Sequence, residues 1–368
     1  MKVLFVNHTI GVGSTGRICT ELAQKLEDEG HECRIAYGRG RCAEKFERFA
    51  KRIGSDLQVY KNALSTRFFD NDGLTAKAAT RKFVRWAESY DPDLLWLHNI
   101  HGYYLNYEIL FAWIKSRPQM EVRWTLHDCW TFTGHCAHFS VAKCEQWKTQ
   151  CQACVQKREY PGSLLIDNCK RNFERKKKAF TGVQKMTLIT PSRWLADLVK
   201  QSFLKDYPVE VHYNTIDKAV FKPTPSDFRE RHGLQGKVIV LGVANVWHIN
   251  KGLNDFLKLA SKLDKKYIVV LVGLTKKQLE RLPANIVGIE RTASKTELAE
   301  IYTAADVFVN PTYEDTYPTV NLEAQACGTP VVTYDTGGCR ETLSEGGGVG
   351  VVVPVGDTEA VIRQILGR

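Results

Sequence analysis

The sequence predicts an α/β fold with two doubly wound parallel sheets, each in a domain of its own. Short apolar segments alternate with amphipathic helical patterns, and this alternation occurs twice along the 368 residues. The apolar segments are hydrophobic at successive positions, which is typical of parallel strands buried on both faces. A stretch rich in proline and polar residues, 209–234, separates the two passages.

The apolar segments give the order of the predicted strands. The first passage contains KVLFVN, ECRIAYG, LLWLHNI, VRWTLHD and MTLITPS, and the second contains KVIVLGVA, YIVVLVG, NIVGIE, VFVNPT, TPVVTYD and GVGVVVP. Helices are predicted at 18–30, 170–180 and 253–263. We therefore expect two Rossmann-like domains, at 1–213 and 214–368. If the two domains face each other, the carboxyl ends of both sheets form a central cleft, where open α/β folds bind ligands.

Composition and charge restrict the class of protein. No window approaches the roughly 18 uncharged apolar residues of a membrane span, and MKVLFVNH is too short and strand-like for a signal peptide, so we expect a cytoplasmic protein. The net charge of +10 belongs to residues 1–214, which hold 33 Lys and Arg against 23 Asp and Glu. The densest basic run, 170–180, predicts either a solvated helix or a basic face for anionic lipid head groups or a phosphorylated substrate. The excess positive charge of the first part also makes peripheral membrane association a hypothesis.

Eleven cysteines, odd in number and scattered, indicate reduced thiols rather than a disulfide framework. Four of them lie in a Cys-rich insertion at 129–160 that has few apolar residues: Cys136, Cys144, Cys151 and Cys154. Four thiolates in a segment that cannot bury a core of its own could bind a structural zinc ion. Their spacing is not that of a standard zinc finger, so free thiols or a disulfide pair are the alternatives.

Two strand–helix joints carry groups that suit a phosphate. The first joint contains Gly11, Gly13 and Gly16, which permit a tight turn, and the amides of the following helix would point toward the ligand. The same residues also make an acceptable helix start without a ligand. In the second passage, Lys251 lies in the corresponding joint, where it would neutralise a diphosphate or stand as an ordinary surface lysine.

The stretch DTYPTVNLEAQACGTPVV, 315–332, raises a question about one acid. A helix here places Glu323 in the middle of a broad apolar arc, with Asn321 and Gln325 outside it. An unpaired buried carboxylate is costly, so we predict a ligand as its partner, with a partner inside the protein as the alternative. Asp315, eight residues earlier, can face the same cleft.

Imidazoles follow two predicted strands of the first passage. His98 and His127, the latter followed by Asp128, stand at carboxyl ends. An imidazole there can hydrogen-bond a sugar hydroxyl or transfer a proton near neutral pH, or it can be an ordinary core or loop residue.

Taken together, these motifs resemble the retaining glycosyltransferases of family 4, which have the GT-B fold. The segment 307–338 is similar to the family's donor-binding segment, with two acids eight residues apart, a Cys-Gly-Thr-Pro-Val-Val strand and a Gly-Gly turn. The linker YNTIDKAVFKP is similar to the family's hinge. GSTGR, LHDCWTFTGHC and ITPSRWLADL resemble a subgroup that builds bacterial capsule, colanic-acid-like or other exopolysaccharides.

The resemblance implies a hexosyltransferase that moves a sugar from a UDP- or GDP-linked donor to a hydroxyl of a glycan or polyprenyl-diphosphate-linked acceptor, with retention and without a metal. Glu323 would hold the ribose, Asp315 would contact the donor sugar, and His127 would lie at the reacting sugar. The residues implied for binding the rest of the donor are Gly13, Gly16, Arg193, Lys251, Thr336, Gly337 and Gly338.

The chain departs from the family pattern at three places. Asp315 stands where glutamate is usual. Val246 stands where an arginine is common, so Arg193 or His248 would help Lys251 with the diphosphate. The chain stops after AVIRQILGR, where relatives usually continue into further helices.

Two other functions are alternatives at this point. A sugar-nucleotide epimerase can share the two-domain architecture, and a catalytically inactive protein could use the same cleft to bind glycans or nucleic acid. We expect no nucleic acid, because regularly spaced aromatic platforms are absent from the sequence. Several donors stay open, among them GDP-mannose, GDP-fucose, UDP-glucose, UDP-galactose and the UDP-N-acetylhexosamines.

Overall fold

The computed structural model describes residues 1–345 and 347–367. The chain divides into two compact units, Met1–His212 and Tyr213–Arg368. This division lies one residue before the boundary expected from the linker. Each unit contains one sheet and the helices that cover it.

The first unit, all of which is described, contains a seven-stranded parallel sheet with strand order β3-β2-β1-β4-β5-β6-β7. Its strands are β1 (Lys2–Asn7), β2 (Glu32–Tyr37), β3 (Ala50–Arg52), β4 (Leu94–Leu97), β5 (Glu121–Thr125), β6 (Met186–Thr190) and β7 (Val209–Val211). Its α-helices are α1 (Gly13–Asp28), α2 (Asp56–Phe69), α3 (Lys77–Tyr90), α4 (Tyr107–Lys115), α5 (Cys169–Phe180) and α6 (Arg193–Val199), with 3-10 helices at Glu44–Phe49, Trp130–Phe132 and Gln146–Lys148.

The second unit contains, within 213–345 and 347–367, a six-stranded parallel sheet with strand order β10-β9-β8-β11-β12-β13. Its strands are β8 (Val238–Val243), β9 (Tyr267–Val272), β10 (Ile286–Ile289), β11 (Val307–Asn310), β12 (Val331–Tyr334) and β13 (Gly350–Val353). Its α-helices are α7 (Phe228–Arg231), α8 (Leu253–Lys262), α9 (Lys276–Leu279), α10 (Lys295–Ala304), α11 (Thr319–Ala326), α12 (Cys339–Ser344) and α13 (Thr358–Leu366), with a 3-10 helix at Ile249–Lys251.

The predicted fold class is confirmed, and every predicted strand forms. Two strands were not predicted, β3 and β7, which are three-residue edge strands without an apolar run. Helix α1 begins at Gly13 rather than at residue 18, because its first turn is polar and adds nothing to the apolar periodicity. None of the helices in the described ranges combines the length and the hydrophobicity that crossing a bilayer requires.

Both sheets reverse their strand order beside the first strand of the unit. In the first unit the chain moves from β1 to β2 on one side and later returns to β4 on the other, and in the second unit β8 lies between β9 and β11 in the same way. The loops after β1 and β4, and those after β8 and β11, therefore diverge at the carboxyl ends of the strands. Open α/β folds bind their ligands at this point.

The Cys-rich insertion buries an aromatic core, contrary to the prediction from its low hydrophobicity. The rings of Trp147 and Phe139 are stacked at 4.9 Å between centroids, and the ring of Phe132 lies 5.3 Å from that of Trp147. All three side chains are buried. A few large aromatic rings bury as much surface as many aliphatic side chains, so an average over the segment underestimates its core.

The predicted zinc site is not assembled. Among the residues that the structure describes, no group of three or more His, Cys, Asp or Glu side chains is placed to hold a metal ion. The Cys154 thiol contacts Cys136 and also Cys169, which lies outside the predicted set, and Cys151 Sγ accepts a hydrogen bond of 3.2 Å from the Gly134 amide. All eleven cysteines are free thiols.

The basic helix α5 is anchored by a buried lysine. Lys176 Nζ donates hydrogen bonds of 2.6 and 3.1 Å to the carbonyl oxygens of Trp130 and Thr133, and it lies 3.5 Å from the centroid of the Trp130 ring. Arg175 forms a bidentate ion pair with Glu108 of α4. Two cations of the basic run are therefore paired within the protein: Lys176 is buried, and Arg175 is partly exposed.

We expect Lys176→Met to lower the free energy of unfolding of the first unit by about 2 kcal/mol, because two buried carbonyl groups lose their donor. Burial lowers the pKa of Lys176 to about 7, below its unfolded value near 10.4. The unfolded chain thus binds one more proton between these values, and wild-type stability gains from this group as pH rises. The difference between wild type and variant should therefore grow from pH 7 toward about pH 10.

Urea unfolding followed by tryptophan fluorescence measures this difference, since seven of the eight tryptophans lie in the first unit. The exposed Lys177→Met change on the same helix is the matched control. Equal stability of wild type and Lys176→Met, or a difference that shrinks as pH rises, would contradict this account.

Candidate active site

The carboxyl ends of β1, β4 and β5 bring together a set of polar side chains in the first unit. Asn7, the last residue of β1, accepts a hydrogen bond of 3.2 Å from the Asn99 amide after β4 and donates one of 2.8 Å to the Thr9 carbonyl. This side chain joins the two loops that diverge at the reversal of strand order. His8 follows Asn7 and lies in the same group.

The predicted His127 pairs with the predicted His98. His127 Nε2 and His98 Nδ1 lie 2.9 Å apart, and their rings are stacked at 5.2 Å. Burial lowers the pKa of His127 to about 4 and that of His98 well below its usual range. Both imidazoles are therefore neutral near pH 7, and they serve as hydrogen-bonding groups rather than as cations.

A third histidine forms an ion pair beside them. His101 Nε2 lies 2.9 Å from Asp128 Oδ2, and His101 Nδ1 lies 3.2 Å from the Tyr160 hydroxyl. Burial disfavours the charged forms, but the attraction between the two groups outweighs it, raising the pKa of His101 and holding that of Asp128 below its usual range. The Trp130 amide also donates to Asp128 at 2.9 Å.

Two buried nitrogen atoms of this group stand without a protein partner. In the described part of the chain, His8 Nδ1 and His98 Nε2 make no hydrogen bond. Buried polar atoms are normally paired, so such atoms at the end of a sheet indicate a place where a polar ligand or water completes the bonding.

The glycine-rich joint lies after β1 as predicted. Gly16 is in the first turn of α1, and a Cβ atom there would lie 2.7 Å from Thr9 Oγ1, so the helix and the loop before it pack closely. The Gly16 carbonyl accepts a hydrogen bond of 3.0 Å from Gly11, and Gly13 begins the helix. Arg193 begins α6 after β6 and is exposed.

In the second unit, Lys251 and Asp315 form an ion pair. Lys251 Nζ donates a hydrogen bond of 2.6 Å to Asp315 Oδ2 and lies 3.4 Å from the Glu314 carbonyl. Burial disfavours the ammonium form, but the negative charge of Asp315 outweighs it and raises the pKa of Lys251. The loops after β8 and β11 are further joined by Asn250, whose carbonyl accepts from the Tyr313 amide at 2.8 Å.

The turn Thr336–Gly338 lies directly on Asp315. Gly337 has a φ of +53°, and a Cβ atom there would lie 1.7 Å from the Asp315 carbonyl oxygen. That carbonyl also accepts a hydrogen bond of 3.3 Å from the Gly338 amide, and the Thr336 hydroxyl donates to the Tyr313 carbonyl at 2.9 Å. The turn and the acid therefore keep a fixed relative position.

Glu323 has a partner inside the protein. The hydroxyl of Tyr302 in α10 donates a hydrogen bond of 3.1 Å to Glu323 Oε2, and both side chains are buried. The expectation that Asn321 lies outside the buried face is wrong, because Asn310 donates to it and it donates to Thr342, each at 2.8 Å. The hydrogen-bond partners of Asn321, Asn310 and Thr342, lie outside helix α11 in the sequence.

Several residues of these groups escaped the sequence analysis. His101, Tyr160, Tyr302 and Asn250 carry no motif of their own, and the signal that could have found His101 is its position three residues after His98. Asp255 is buried and accepts hydrogen bonds from the hydroxyls of three residues, which fix the start of α8 beside Lys251: Tyr313, Tyr334 and Thr358.

The chain has the GT-B class of fold: it consists of two Rossmann-like units, and the solved structures that share its fold are GT-B glycosyltransferases. The solved structure of Anabaena Alr3699/HepE in complex with UDP-glucose has a TM-score of 0.65, with 16% sequence identity over 100% of this chain and 89% of that chain. At this identity the similarity shows the fold alone.

The chain belongs to Glycosyltransferase Family 4, whose model matches residues 15–220. A second model, described as Glycosyl transferases group 1, matches residues 237–367. The protein is therefore a glycosyltransferase, and the resemblance drawn from the motifs is confirmed.

Two relatives are similar in sequence. An Escherichia coli K12 protein named as a colanic acid biosynthesis glycosyl transferase, WcaC, is 24% identical over 95% of this chain and 86% of its own length. The N,N'-diacetylbacillosaminyl-diphospho-undecaprenol alpha-1,3-N-acetylgalactosaminyltransferase of Campylobacter jejuni is 33% identical over 32% of each chain.

We expect Asp128→Asn to lower the pKa of His101, because the raised value depends on the carboxylate. NMR titration of protein with isotope-labelled histidine rings measures the change, and His101→Gln assigns the signal. Folding raises the pKa of His101 and lowers that of Asp128. The ion pair therefore stabilises the folded protein fully at pH values between the unfolded pKa of aspartate and that of histidine, and this stabilisation is lost as pH falls through the folded pKa of Asp128 or rises through that of His101. An unchanged His101 pKa in Asp128→Asn would contradict the described ion pair.

Proposed function

We propose that the protein is a retaining hexosyltransferase. It transfers a sugar from a UDP- or GDP-linked donor to a hydroxyl of a lipid-linked glycan in cell-surface polysaccharide biosynthesis. The second unit binds the donor, and the first unit binds the acceptor. No metal ion takes part in the reaction.

The contact of Lys251, Asp315 and the Thr336–Gly338 turn is the observation that carries this proposal. These groups lie after β8, β11 and β12, where the strand order of the second sheet reverses. They supply a cation, a carboxylate for sugar hydroxyls and, at Gly337, a backbone amide for an oxygen atom of a diphosphate sugar. The amides of Thr336 and Gly338 already donate to the carbonyls of Tyr334 and Asp315. Glu323 holds the ribose hydroxyls, with Tyr302 orienting its carboxylate.

The comparisons support the class of substrates. The Escherichia coli relative is named for colanic acid biosynthesis, and the name of the Campylobacter jejuni relative includes a diphospho-undecaprenol acceptor. HepE, which shares the fold, was solved with UDP-glucose. These names favour a sugar-nucleotide donor and a polyprenyl-diphosphate-linked acceptor for this chain.

In the proposed reaction, the acceptor hydroxyl attacks the anomeric carbon from the face that the diphosphate leaves. The bond from carbon to the acceptor oxygen forms as the bond to the phosphate oxygen breaks, and the leaving diphosphate takes the hydroxyl proton. Negative charge accumulates on the leaving group, so the cationic and amide groups are the main catalytic requirement. In the second unit they are Lys251 and the turn Thr336–Gly338. The donor-binding roles of Gly13, Gly16 and Arg193 stay predictions from the resemblance.

His127 has a limited role in this proposal. A neutral imidazole paired with His98 can hydrogen-bond a hydroxyl of the reacting sugar, but with a pKa of about 4 it is not protonated near pH 7. It therefore positions the sugar and does not act as the general acid.

A thermal-shift screen against UDP- and GDP-linked hexoses tests the donor class. The matching donor should raise the unfolding midpoint by about 5 °C at about 100 times its Kd, because it binds only the folded chain. Product analysis without acceptor separates the proposal from an epimerase, which would convert the donor sugar. Absence of a shift with every donor, or epimerised product, would overturn the proposal.

We expect Glu323→Gln to weaken donor binding at least about tenfold while the fold is kept, because a charge-assisted contact to the ribose is lost. Isothermal titration with the donor found in the screen measures this. Tyr302→Phe is the comparison variant: it removes the hydrogen bond that orients Glu323 but keeps the carboxylate, so it should weaken donor binding less than Glu323→Gln does. If both variants bind donor as wild type does, Glu323 has a structural role only.

A further inference from the structure

The loop after β2 places an arginine without an anionic partner beside the histidines of the first unit. Arg39 is partly buried, and its amide donates a hydrogen bond of 2.8 Å to the His8 carbonyl, which fixes the loop after β2 to the loop after β1. Its guanidinium lies 5.8 Å from the centroid of the Tyr103 ring. Within residues 1–345 and 347–367, this guanidinium has neither a carboxylate nor a hydrogen-bond acceptor as a partner. A partly buried cation is normally paired, so its position indicates an anionic ligand.

Three groups border one point beside Gly102. This glycine has a φ of +100°, and a Cβ atom built on it would lie 3.4 Å from Arg39 Nη1, 3.6 Å from His8 Cβ and 3.8 Å from the Tyr160 hydroxyl oxygen. These separations are ordinary van der Waals contacts, so the point has room for one ligand atom. A guanidinium, an imidazole and a hydroxyl therefore surround the same small space near the carboxyl ends of β1, β2 and β4.

Two of these groups have a hydrogen-bonding capacity that the protein leaves unused. His8 Nδ1 is buried and has no partner among the described residues. The ring is neutral and can donate from this atom, since burial, together with the charges of His101 and Arg39, lowers the pKa of His8 to about 3. In its ion pair with Asp128, His101 donates its Nδ1–H to the Tyr160 oxygen at 3.2 Å. The hydrogen of the Tyr160 hydroxyl is then available for another acceptor.

A strained backbone holds the loop after β4 in this arrangement. Tyr103 has a φ of +74°, in the left-handed region that a tyrosine rarely adopts. The buried Asp72 accepts hydrogen bonds from the Gly102 amide at 3.4 Å and from the Tyr103 amide at 3.2 Å. Asn62 Nδ2 donates to the Tyr103 carbonyl at 2.7 Å. Strain of this kind persists only where the surrounding structure imposes it, and it is concentrated at binding and catalytic sites.

The nearby acids leave the positive charge of Arg39 without compensation. Asp128 is already engaged in its ion pair with an imidazolium, and Asp72 accepts two backbone amides while burial raises its pKa. Arg67 of α2 adds a second cation. Burial and Asp72 raise the pKa of the Tyr103 hydroxyl, and the charges of Arg39 and Arg67 oppose this effect. An oxyanion is therefore favoured over a neutral group at this place.

The Cys-rich insertion supplies the hydroxyl of this group. Tyr160 is the last residue of the insertion, and its carbonyl accepts a hydrogen bond of 3.3 Å from the Ala137 amide in the same segment. Its ring lies 6.3 Å from that of Tyr103 and 5.9 Å from that of His101. The insertion, with its buried aromatic core, thus positions a donor at the polar group of the first unit.

We propose that His8, Arg39 and Tyr160 form a subsite for an oxyanion, either a carboxylate or a phosphate group, that the acceptor carries. The guanidinium offers two parallel N–H donors to two oxygen atoms, and the Tyr160 hydroxyl and His8 Nδ1 offer further donors. A neutral sugar would leave the cation unpaired, so the subsite selects acidic or phosphorylated acceptors. That the anion belongs to the acceptor rests on the proposed function; the affinity for an oxyanion does not.

NMR titration with three small probes tests the subsite. Methyl β-D-glucuronide carries a carboxylate, glucose 1-phosphate carries a phosphate, and methyl β-D-glucoside is the neutral reference. With isotope-labelled histidine rings, an anionic probe should shift the His8 signal and bind at least about tenfold more tightly than the glucoside. His8→Gln assigns that signal. A preference for the glucuronide, for the phosphate or for both identifies the source of the oxyanion.

Arg39→Gln should remove the preference for the anionic probe and keep the weaker binding of the glucoside, because the charge-assisted hydrogen bonds are lost. Arg39→Lys keeps the charge but not the paired donors, so it should retain only part of the preference. Arg85→Gln is the matched control, because it removes the same charge from an exposed position of α3, in the half of the helix that leads to the amino end of β4. Its preference should equal that of wild type.

Equal affinity of the wild-type protein for all three probes would overturn the subsite. A preference that survives in Arg39→Gln, or that Arg85→Gln lowers as much as Arg39→Gln does, would overturn it as well and would assign the effect to the overall charge of the first unit. Donor-induced thermal shift, which the proposed function places in the second unit, should be the same in wild type and Arg39→Gln. If no donor gives a shift while the anionic probes still bind through Arg39, the proposed function fails and the subsite stands.

Discussion

The reversal of strand order beside β1 and beside β8 is the constraint on which both polar groups depend. In a parallel sheet every strand must be followed by a crossover, and crossovers that leave to opposite sides open a space at the carboxyl ends of the two central strands. His8 and His98 stand at this position in the first unit, as Lys251 and Asp315 do in the second. The chemistry of each group therefore follows from side chains on short loops, while the sheets fix where those loops begin.

The two polar groups differ in how they hold charge. In the second unit, Lys251 and Asp315 are opposite charges in contact, and the turn at Gly337 packs on the same acid. In the first unit, burial keeps His98 and His127 neutral while His101 and Asp128 form the ion pair beside them. The polar group of the second unit is therefore dominated by a pair of opposite charges, whereas that of the first unit combines two neutral imidazoles with one ion pair.

Residue patterns predicted the sheets because buried parallel strands are apolar at every position, and this signal is local. The same reasoning failed where the signal comes from distant parts of the chain. Tyr302 could not be assigned to Glu323, because helix packing rather than spacing brings α10 to α11. The low average hydrophobicity of the Cys-rich insertion did not predict its buried core, because three aromatic rings form that core in place of many aliphatic side chains.

The close approach of Gly337 to the Asp315 carbonyl couples two segments of the chain mechanically. No side chain fits between the turn and the acid loop, so a substitution at the glycine must displace the loop that carries the carboxylate. The two segments, separated by α11 and β12 in the chain, can therefore change only in concert.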